Sequence, residues 1–124
     1  MNLLRTVIIV VICVLAFAAV SHGGEADVIG VEVKKIGDNT YQFDVTVLHT
    51  DEGWEHYADK WEILAPDGQV LGTRTLLHPH EDEQPFTRSL SPVEIPEGIT
   101  EVTIRAHDSV HKYGGKVMHV IFPQ

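Results

Sequence analysis

Apolar and polar residues alternate with a period of two through most of the chain after residue 27, and this pattern constrains the fold more than any other feature. Between Tyr41 and Val47 every second residue is apolar, and polar residues stand between them. Such alternation is typical of a β-strand with one buried face. No window shows the 3.6-residue period of a convincing amphipathic helix, so the sequence predicts an all-β protein.

Turn signals interrupt the alternation at the intervals expected of a β-sandwich. Three of them are Gly37-Asp38-Asn39, Pro66-Asp67-Gly68 and Tyr113-Gly114-Gly115, and the segment 91–98, which contains two prolines, is predicted to be a connection. The predicted strands cover residues 29–33, 41–47, 60–63, 70–77, 86–90, 102–106 and 116–122. We expect one domain over residues 27–124, a seven-stranded immunoglobulin- or fibronectin-like antiparallel sandwich.

Alternation also predicts which side chains form the core. In the last strand the pattern leaves two choices open, because either residues 117, 119 and 121 or residues 118, 120 and 122 could face inward. In the other strands the expected core residues are Tyr41, Phe43, Val45, Val47, Trp61, Ile63, Val102 and Ile104.

The first residues have the parts of a secretory signal peptide. Arg5 precedes an apolar run from Val7 to Val20, which is shorter than the ~20 residues that cross a bilayer comfortably. We expect residues 1–21 to be removed, with the cut between 18 and 26, leaving a secreted or periplasmic form without a membrane span. Cys13 lies inside the run rather than after a small residue at its end, which argues against lipid attachment. A mature form without Cys13 has no disulfide and no thiolate metal site.

Charge and motifs exclude several function classes. The chain has 18 acidic and 9 basic residues, a balance that argues against nucleic-acid binding but suits a cation or a basic partner. There is no Gly-x-Ser-x-Gly elbow, no His-Glu-x-x-His helix and no phosphate-binding glycine loop. The sequence therefore predicts a protein that is not an enzyme.

The histidines provide the main functional signal. Because successive strands of the predicted sandwich run in opposite directions, alternate connections fall at the same end of it. We call the end at which the first of these strands starts the upper pole. Only His119 falls within a strand, and the loops of the opposite end contain no histidine. The histidines assigned to the upper pole are His22, His49, His56, His78, His80, His107 and His111.

Local patterns sharpen this signal, and each has a second interpretation. His78-Pro79-His80 puts two imidazoles on one side of an extended segment, although a solvated loop explains it equally well. In the segment 107–111, Asp108 stands between two histidines as either a ligand or a turn cap. In the segment 53–59, Trp54 and Tyr57 suggest an apolar lid over the core at least as strongly as a binding surface.

Imidazole and carboxylate donors without cysteine exclude a blue-copper centre, which needs a thiolate. They are compatible with Cu(II), Zn(II) or Ni(II), and the Irving–Williams order favours Cu(II) among these by affinity. If His22 became the first residue, its amine and imidazole could chelate copper together. Ca²⁺ is disfavoured because the run Glu81-Asp82-Glu83 lacks the EF-hand pattern.

Two stretches, 61–72 and 100–108, resemble strands of fibronectin-type or immunoglobulin-like domains. The region from Gly53 to Gly115 also resembles a family of small secreted bacterial proteins of unassigned function. A weaker resemblance is to CopC-type periplasmic copper carriers, which implies His22 as a first ligand and Asp108 with His111 as a later pair. Two residues separate Asp108 from His111, whereas one residue separates the pair in that family's Asp-x-His motif, and this sequence lacks the family's methionine-rich Cu(I) segment.

Two hypotheses follow. In the first, the upper pole binds a divalent transition metal, Cu(II) or alternatively Zn(II). In the second, the same loops grip a protein or glycan partner without metal, with Trp54 and Tyr57 as anchors. For the metal the first-choice ligands are His78, His80, His107 and His111, the second choices are His49, His56 and His22, and Asp108 is a ligand or an orienting carboxylate.

Overall fold

The computed structural model describes residues 8–10 and 24–122, and every regular element within them is a β-strand. None of the residues it describes forms a helix long and apolar enough to cross a membrane. The strands are β1 (Ile8–Val10), β2 (Asp27–Gly37), β3 (Thr40–Leu48), β4 (Ala58–Leu64), β5 (Val70–Thr75), β6 (Phe86–Glu94), β7 (Glu101–Asp108) and β8 (Met118–Ile121).

Strands β2 to β8 are the seven strands of an antiparallel β-sandwich, which confirms the predicted fold class. One sheet has the order β1-β2-β3-β6 and the other the order β5-β4-β7-β8. All the paired strands are antiparallel. The short strand β1, which belongs to the predicted signal segment, pairs with residues 32–34 of β2. The signal peptide itself stays a prediction, because most of residues 1–21 lie outside the described part of the chain.

Alternation predicted the core well. Seven of the eight expected core residues are buried, and Tyr41 is partly buried against the same cluster. The choice left open in the last strand is decided in favour of Met118, Val120 and Phe122, while Ile121 is exposed. The largest of the fully buried side chains is Trp61.

The predicted connection over 91–98 is wrong in its first half, because β6 continues to Glu94. Val93 pairs with Tyr41 and Leu90 pairs with Phe43, and the register shifts between these two pairs. The extra residues of β6, which include Pro92, are accommodated at this irregularity. Since β6 has a neighbour on only one side, a proline without an N–H is tolerated there.

The strand directions place four segments at the upper pole. They are the start of β2, the loop between β3 and β4, the loop between β5 and β6, and the loop between β7 and β8. The amino-terminal segment is fixed there because the backbone of Val28 and the carboxylate of Asp27 both bond to the backbone of Lys116. The predicted grouping of these loops at one end is thereby confirmed for the described residues. The expectation that only His119 falls within a strand is wrong, because His107 lies within β7.

Candidate metal centre

His49, His56 and Asp108 converge at the upper pole. Each offers one ligand atom, and these atoms all lie within 4.8 Å of one another. His49 directly follows β3, Asp108 is the last residue of β7, and His56 belongs to the loop between β3 and β4. The strand pattern brings the first and the last together, because His49 continues the inward series of Val45 and Val47.

Asp51 holds the His49 ring in place. The Nδ1–H of His49 donates to Asp51 Oδ1 at 2.5 Å, and the side chains of both residues are buried. The same carboxylate accepts the backbone N–H of Ala58 at 3.1 Å and that of His80 at 2.6 Å. With Nδ1 engaged, the other ring nitrogen of His49 faces the centre, 3.6 Å from Asp108 Oδ2.

His56 is oriented in the same way by Glu52. Its Nδ1 lies 3.0 Å from Glu52 Oε1 and donates to it. Its Nε2 lies 2.8 Å from Asp108 Oδ2, but the two atoms are not aligned for a hydrogen bond. This Nε2 is buried without a hydrogen-bond partner among the described residues. A buried polar atom of this kind costs about 1–3 kcal/mol unless another interaction satisfies it.

Asp108 closes the turn that follows β7 and is fully buried. Its carboxylate accepts the backbone N–H groups of Val110 and His111 and lies 3.2 Å from His111 Nδ1. Burial alone would raise the pKa of Asp108, but these hydrogen bonds and the charge of His49 outweigh it and lower the pKa. Asp108 is therefore both the turn cap and a site carboxylate, so the two interpretations of this residue are compatible.

The acidic neighbours of His49 raise the pKa of its ring. Burial alone would lower the pKa of His49, but the hydrogen bond to Asp51, the charges of Asp51 and Asp108 and the carbonyl of Gly24 outweigh it and raise the pKa. Without metal, Nε2–H donates to the Gly24 carbonyl at 3.1 Å. A metal bound at Nε2 replaces this proton, since only the deprotonated nitrogen coordinates.

The amino-terminal segment covers part of the centre. Gly24 bonds to His49 through its carbonyl, and a Cβ atom at Gly24 would lie 2.7 Å from the His111 ring. A side chain at this position would displace His111. The predicted ligand His22 lies outside the described residues, two positions before Gly24 in the sequence.

His111 lies at the edge of the centre. Its ring is partly exposed and sits 5.0 Å, between centroids, from the ring of His56. His78 and His80 form a neighbouring pair, with ring centroids 4.7 Å apart, on the loop between β5 and β6. Of the four first-choice ligands, His111 therefore lies beside the centre, whereas His78 and His80 lie apart from it. His80 is connected to His49 through Asp51 and through the side chain of Gln84.

His107 does not join the other histidines. It lies on the outer face of its sheet, where its Nδ1 donates to Asp59 at 2.5 Å and its ring contacts Tyr113. The reason is strand alternation: Ala106 and Asp108 point inward, so His107 points outward.

Sequence reasoning missed two orienting residues, Asp51 and Glu52. The sequence did indicate the role of Asp51, because it stands two residues after His49, and residues i and i+2 of an extended segment lie on the same side. Glu52 had none, because its contact with His56 depends on the compact loop in which the N–H of Glu52 bonds to the His56 carbonyl.

Comparison with known proteins adds one relative. The chain is 45% identical over 96 residues to a protein of Halomicrobium mukohataei named "Putative lipoprotein", a match that covers 77% of this chain and 47% of the relative. This chain thus spans about half the length of that relative. No family model matches the chain, so the resemblance to CopC-type carriers gains no support. No solved structure matches it either.

Proposed function

We propose that the protein binds a divalent transition-metal ion at its upper pole through His49, His56 and Asp108. The observation that supports this most directly is the convergence of three ligand atoms within 4.8 Å. The buried Nε2 of His56 adds to it, because this atom lies 2.8 Å from Asp108 Oδ2 but forms no hydrogen bond with the described residues, and coordination would satisfy it. On this proposal the metal would be bound by two imidazole nitrogens and one carboxylate oxygen.

The spacing of the three atoms is close to that of the ligands of a single ion. Bonds of about 2.0–2.1 Å place two ligand atoms roughly 3.4 Å apart at the tetrahedral angles of zinc sites, and roughly 2.9 Å apart at the right angles of tetragonal Cu(II). The carboxylate oxygen Asp108 Oδ2 lies 3.6 Å from His49 Nε2 and 2.8 Å from His56 Nε2. The 2.8 Å separation is therefore close to the right-angle value and the 3.6 Å separation to the tetrahedral one, so binding requires small side-chain shifts. His111, beside the centre, is the nearest further imidazole and the fourth ligand that we propose.

The donor set favours copper(II) over zinc(II), our second choice. Imidazole nitrogens suit both ions, and the Irving–Williams order gives Cu(II) the higher affinity at such sites. Asp51 and Glu52 act as positioning residues, because each holds the Nδ1–H of a ligand histidine and turns the opposite nitrogen toward the centre. In His49 the ion would take the place of the proton that Nε2 shares with the Gly24 carbonyl.

We also propose that the protein functions outside the cytoplasmic membrane, in a secreted or periplasmic form. The apolar run 7–20 supports export. The name of the Halomicrobium mukohataei relative refers to a lipoprotein, which also suits the cell envelope. Amino-terminal sequencing of the protein recovered from cell fractions tests both the location and the cut between residues 18 and 26. An intact first residue in the cytoplasmic fraction would contradict the proposal.

Calorimetric titration of the chelator-stripped protein with Cu(II) and Zn(II) tests the metal site. We expect binding to wild type that is strongly weakened in His56→Ala and in Asp108→Asn, the second of which keeps an oxygen for the turn. His119→Ala is the matched control, because His119 is exposed on β8 and bonds to Thr103 away from the pole. Equal binding by wild type and His56→Ala, or no binding at neutral pH, would overturn the assignment.

A metal-free recognition module is the second candidate function. Trp54 is 66% exposed and contacts Tyr57 edge-on, with ring centroids 5.6 Å apart. Exposed aromatic pairs of this kind are common anchors for glycans and proteins. Titration with soluble oligosaccharides, followed by tryptophan emission in wild type and Trp54→Phe, tests this candidate. If this candidate holds, oligosaccharide changes the tryptophan emission of wild type but not that of the variant. The free energy of unfolding is then the same with and without a chelator.

A further inference from the structure

His80 has a buried imidazole ring whose two nitrogens form no hydrogen bond with the described residues. The residue is 6% exposed, and both of its ring nitrogens are buried without a hydrogen-bond partner among the described residues. Buried polar side-chain atoms are ordinarily satisfied, so two unpaired nitrogens on one ring call for a ligand or another partner.

The ring of His80 is fixed in position from two sides. One face stacks on Phe86, with centroids 4.0 Å apart and an interplanar angle of 14°. The backbone N–H of His80 donates to Asp51, and the backbone carbonyl of His80 accepts a hydrogen bond from the side chain of Gln84. The imidazole is therefore held in a defined orientation without any use of its own nitrogens.

His78 supplies a second imidazole at the same place. Its ring lies 4.7 Å from that of His80 and is tilted by 41°, and the side chain is exposed. Pro79 stands between the two histidines and restricts the backbone of this segment, which we call the His-Pro-His arm. An exposed side chain changes rotamer readily, so His78 can open and close over the buried ring.

Charged side chains of both signs lie near the His80 ring. A neutral imidazole offers one lone pair, which a soft or borderline cation accepts. The carboxylates of Asp51 and Glu83 supply negative charge nearby.

We propose that His78 and His80 form a second cation site, distinct from the centre at His49, His56 and Asp108, which takes Cu(II) between the two imidazoles of the His-Pro-His arm. It is the weaker of the two sites because it offers two nitrogens and no buried carboxylate ligand. Asp51 connects the sites, since its two oxygens bond to His49 and to the backbone of His80. Neither site requires the other to be occupied.

Titration of the metal-stripped mature protein with Cu(II), read by calorimetry and by electron paramagnetic resonance, tests this proposal. We expect two equivalents per chain in wild type and the loss of the weaker one in His78→Ala. This variant alters an exposed side chain, so the fold should survive. His56→Ala should lose the stronger equivalent and keep the weaker one, which separates failure of this proposal from failure of the first site. His119→Ala should keep both.

A second measurement identifies the residues directly. In His56→Ala, where the stronger site is lost, proton resonances of the His78 and His80 rings should broaden when Cu(II) is added. One equivalent in wild type, or a second equivalent unaffected by His78→Ala, would overturn the proposal. Broadening of the His119 ring in their place would do the same.

Discussion

The Nδ1–H of His49 donates to Asp51 at 2.5 Å inside the upper pole, where the side chains of both residues are buried. The contact fixes which nitrogen of His49 faces Asp108. The second oxygen of Asp51 accepts the backbone N–H of His80, so one carboxylate orders two loops that carry proposed ligands. Burial alone would raise the pKa of Asp51, but the hydrogen bonds from His49, His80 and Ala58 outweigh it and lower the pKa.

Asp51→Asn is expected to lower the free energy of unfolding by about 1–3 kcal/mol, because it leaves one buried donor facing an amide N–H₂ instead of an acceptor. Urea denaturation measures the loss. Asp67→Asn is the matched control, since Asp67 caps an exposed turn and its oxygen is retained by asparagine. We expect the control to change stability by less than about 0.5 kcal/mol. Equal losses in both variants would contradict a special role for Asp51.

Glu52→Ala should weaken Cu(II) binding by roughly 10-fold to 100-fold, the usual effect of removing a carboxylate that orients a metal-bound histidine. Glu52 is exposed, so the substitution should leave the fold intact. Glu55→Ala removes another exposed acid of the same loop and controls for the general attraction of cations. Calorimetric dissociation constants that rise equally in both variants would show that only bulk charge matters.

Metal should stabilise the folded state by mass action. At a free Cu(II) concentration of about 100 times the dissociation constant, the free energy of unfolding should rise by about 2.7 kcal/mol. Denaturation curves with and without the ion measure this gain, and a chelator should reverse it. His56→Ala should show little of the gain and His119→Ala all of it. Identical curves with and without Cu(II) would exclude a site that exists only in the folded protein.

Glu62 should make stability depend on acidity. Burial alone would raise its pKa, but hydrogen bonds from Arg105 and Tyr113 and the charge of Lys60 outweigh it and lower the pKa below the ordinary value of 4.5. A depressed carboxyl pKa stabilises the fold above 4.5, and this contribution is lost as the pH falls through the folded-state pKa. Glu62→Gln should therefore be less stable than wild type at neutral pH.

Urea unfolding from about pH 7 down to pH 3 checks the Glu62 prediction, because the difference between the two proteins should shrink as the carboxylate of wild type is protonated. A difference that stays constant over this range would mean that Glu62 contributes through packing and not through its charge.

Gly115→Ala should destabilise the protein by about 1–3 kcal/mol through overpacking. A Cβ atom at Gly115 would lie 2.0 Å from the carbonyl oxygen of Ala26, so one of the two backbone segments must move. Gly37→Ala is the control, since its nearest neighbour, Thr40, would lie at 3.7 Å. Thermal unfolding compares the two, and a Gly115→Ala protein as stable as Gly37→Ala would rule out the close approach.

Much of the arrangement was accessible from the sequence, including part that our sequence analysis did not use. Alternation predicted the strands, the core around Trp61 and the pole at which the histidines lie. The same alternation in β7, extended by two residues beyond Ala106, puts Asp108 inside and His107 outside. His107 could therefore have been separated from the other ligands without a structure.

The sequence determined the two-residue alternation of apolar and polar side chains, and with it the sandwich and the inward-facing residues, because side chains along a strand point alternately to its two faces. It also determined the end of the sandwich to which each loop belongs, because successive strands run in opposite directions. Only the tertiary structure decided that His56 meets Asp108 and that His80 is buried against Phe86. Those positions depend on loop conformations, which are set by hydrogen bonds between segments far apart in the chain. No local pattern encodes such contacts, since each loop takes its shape from the others it packs against.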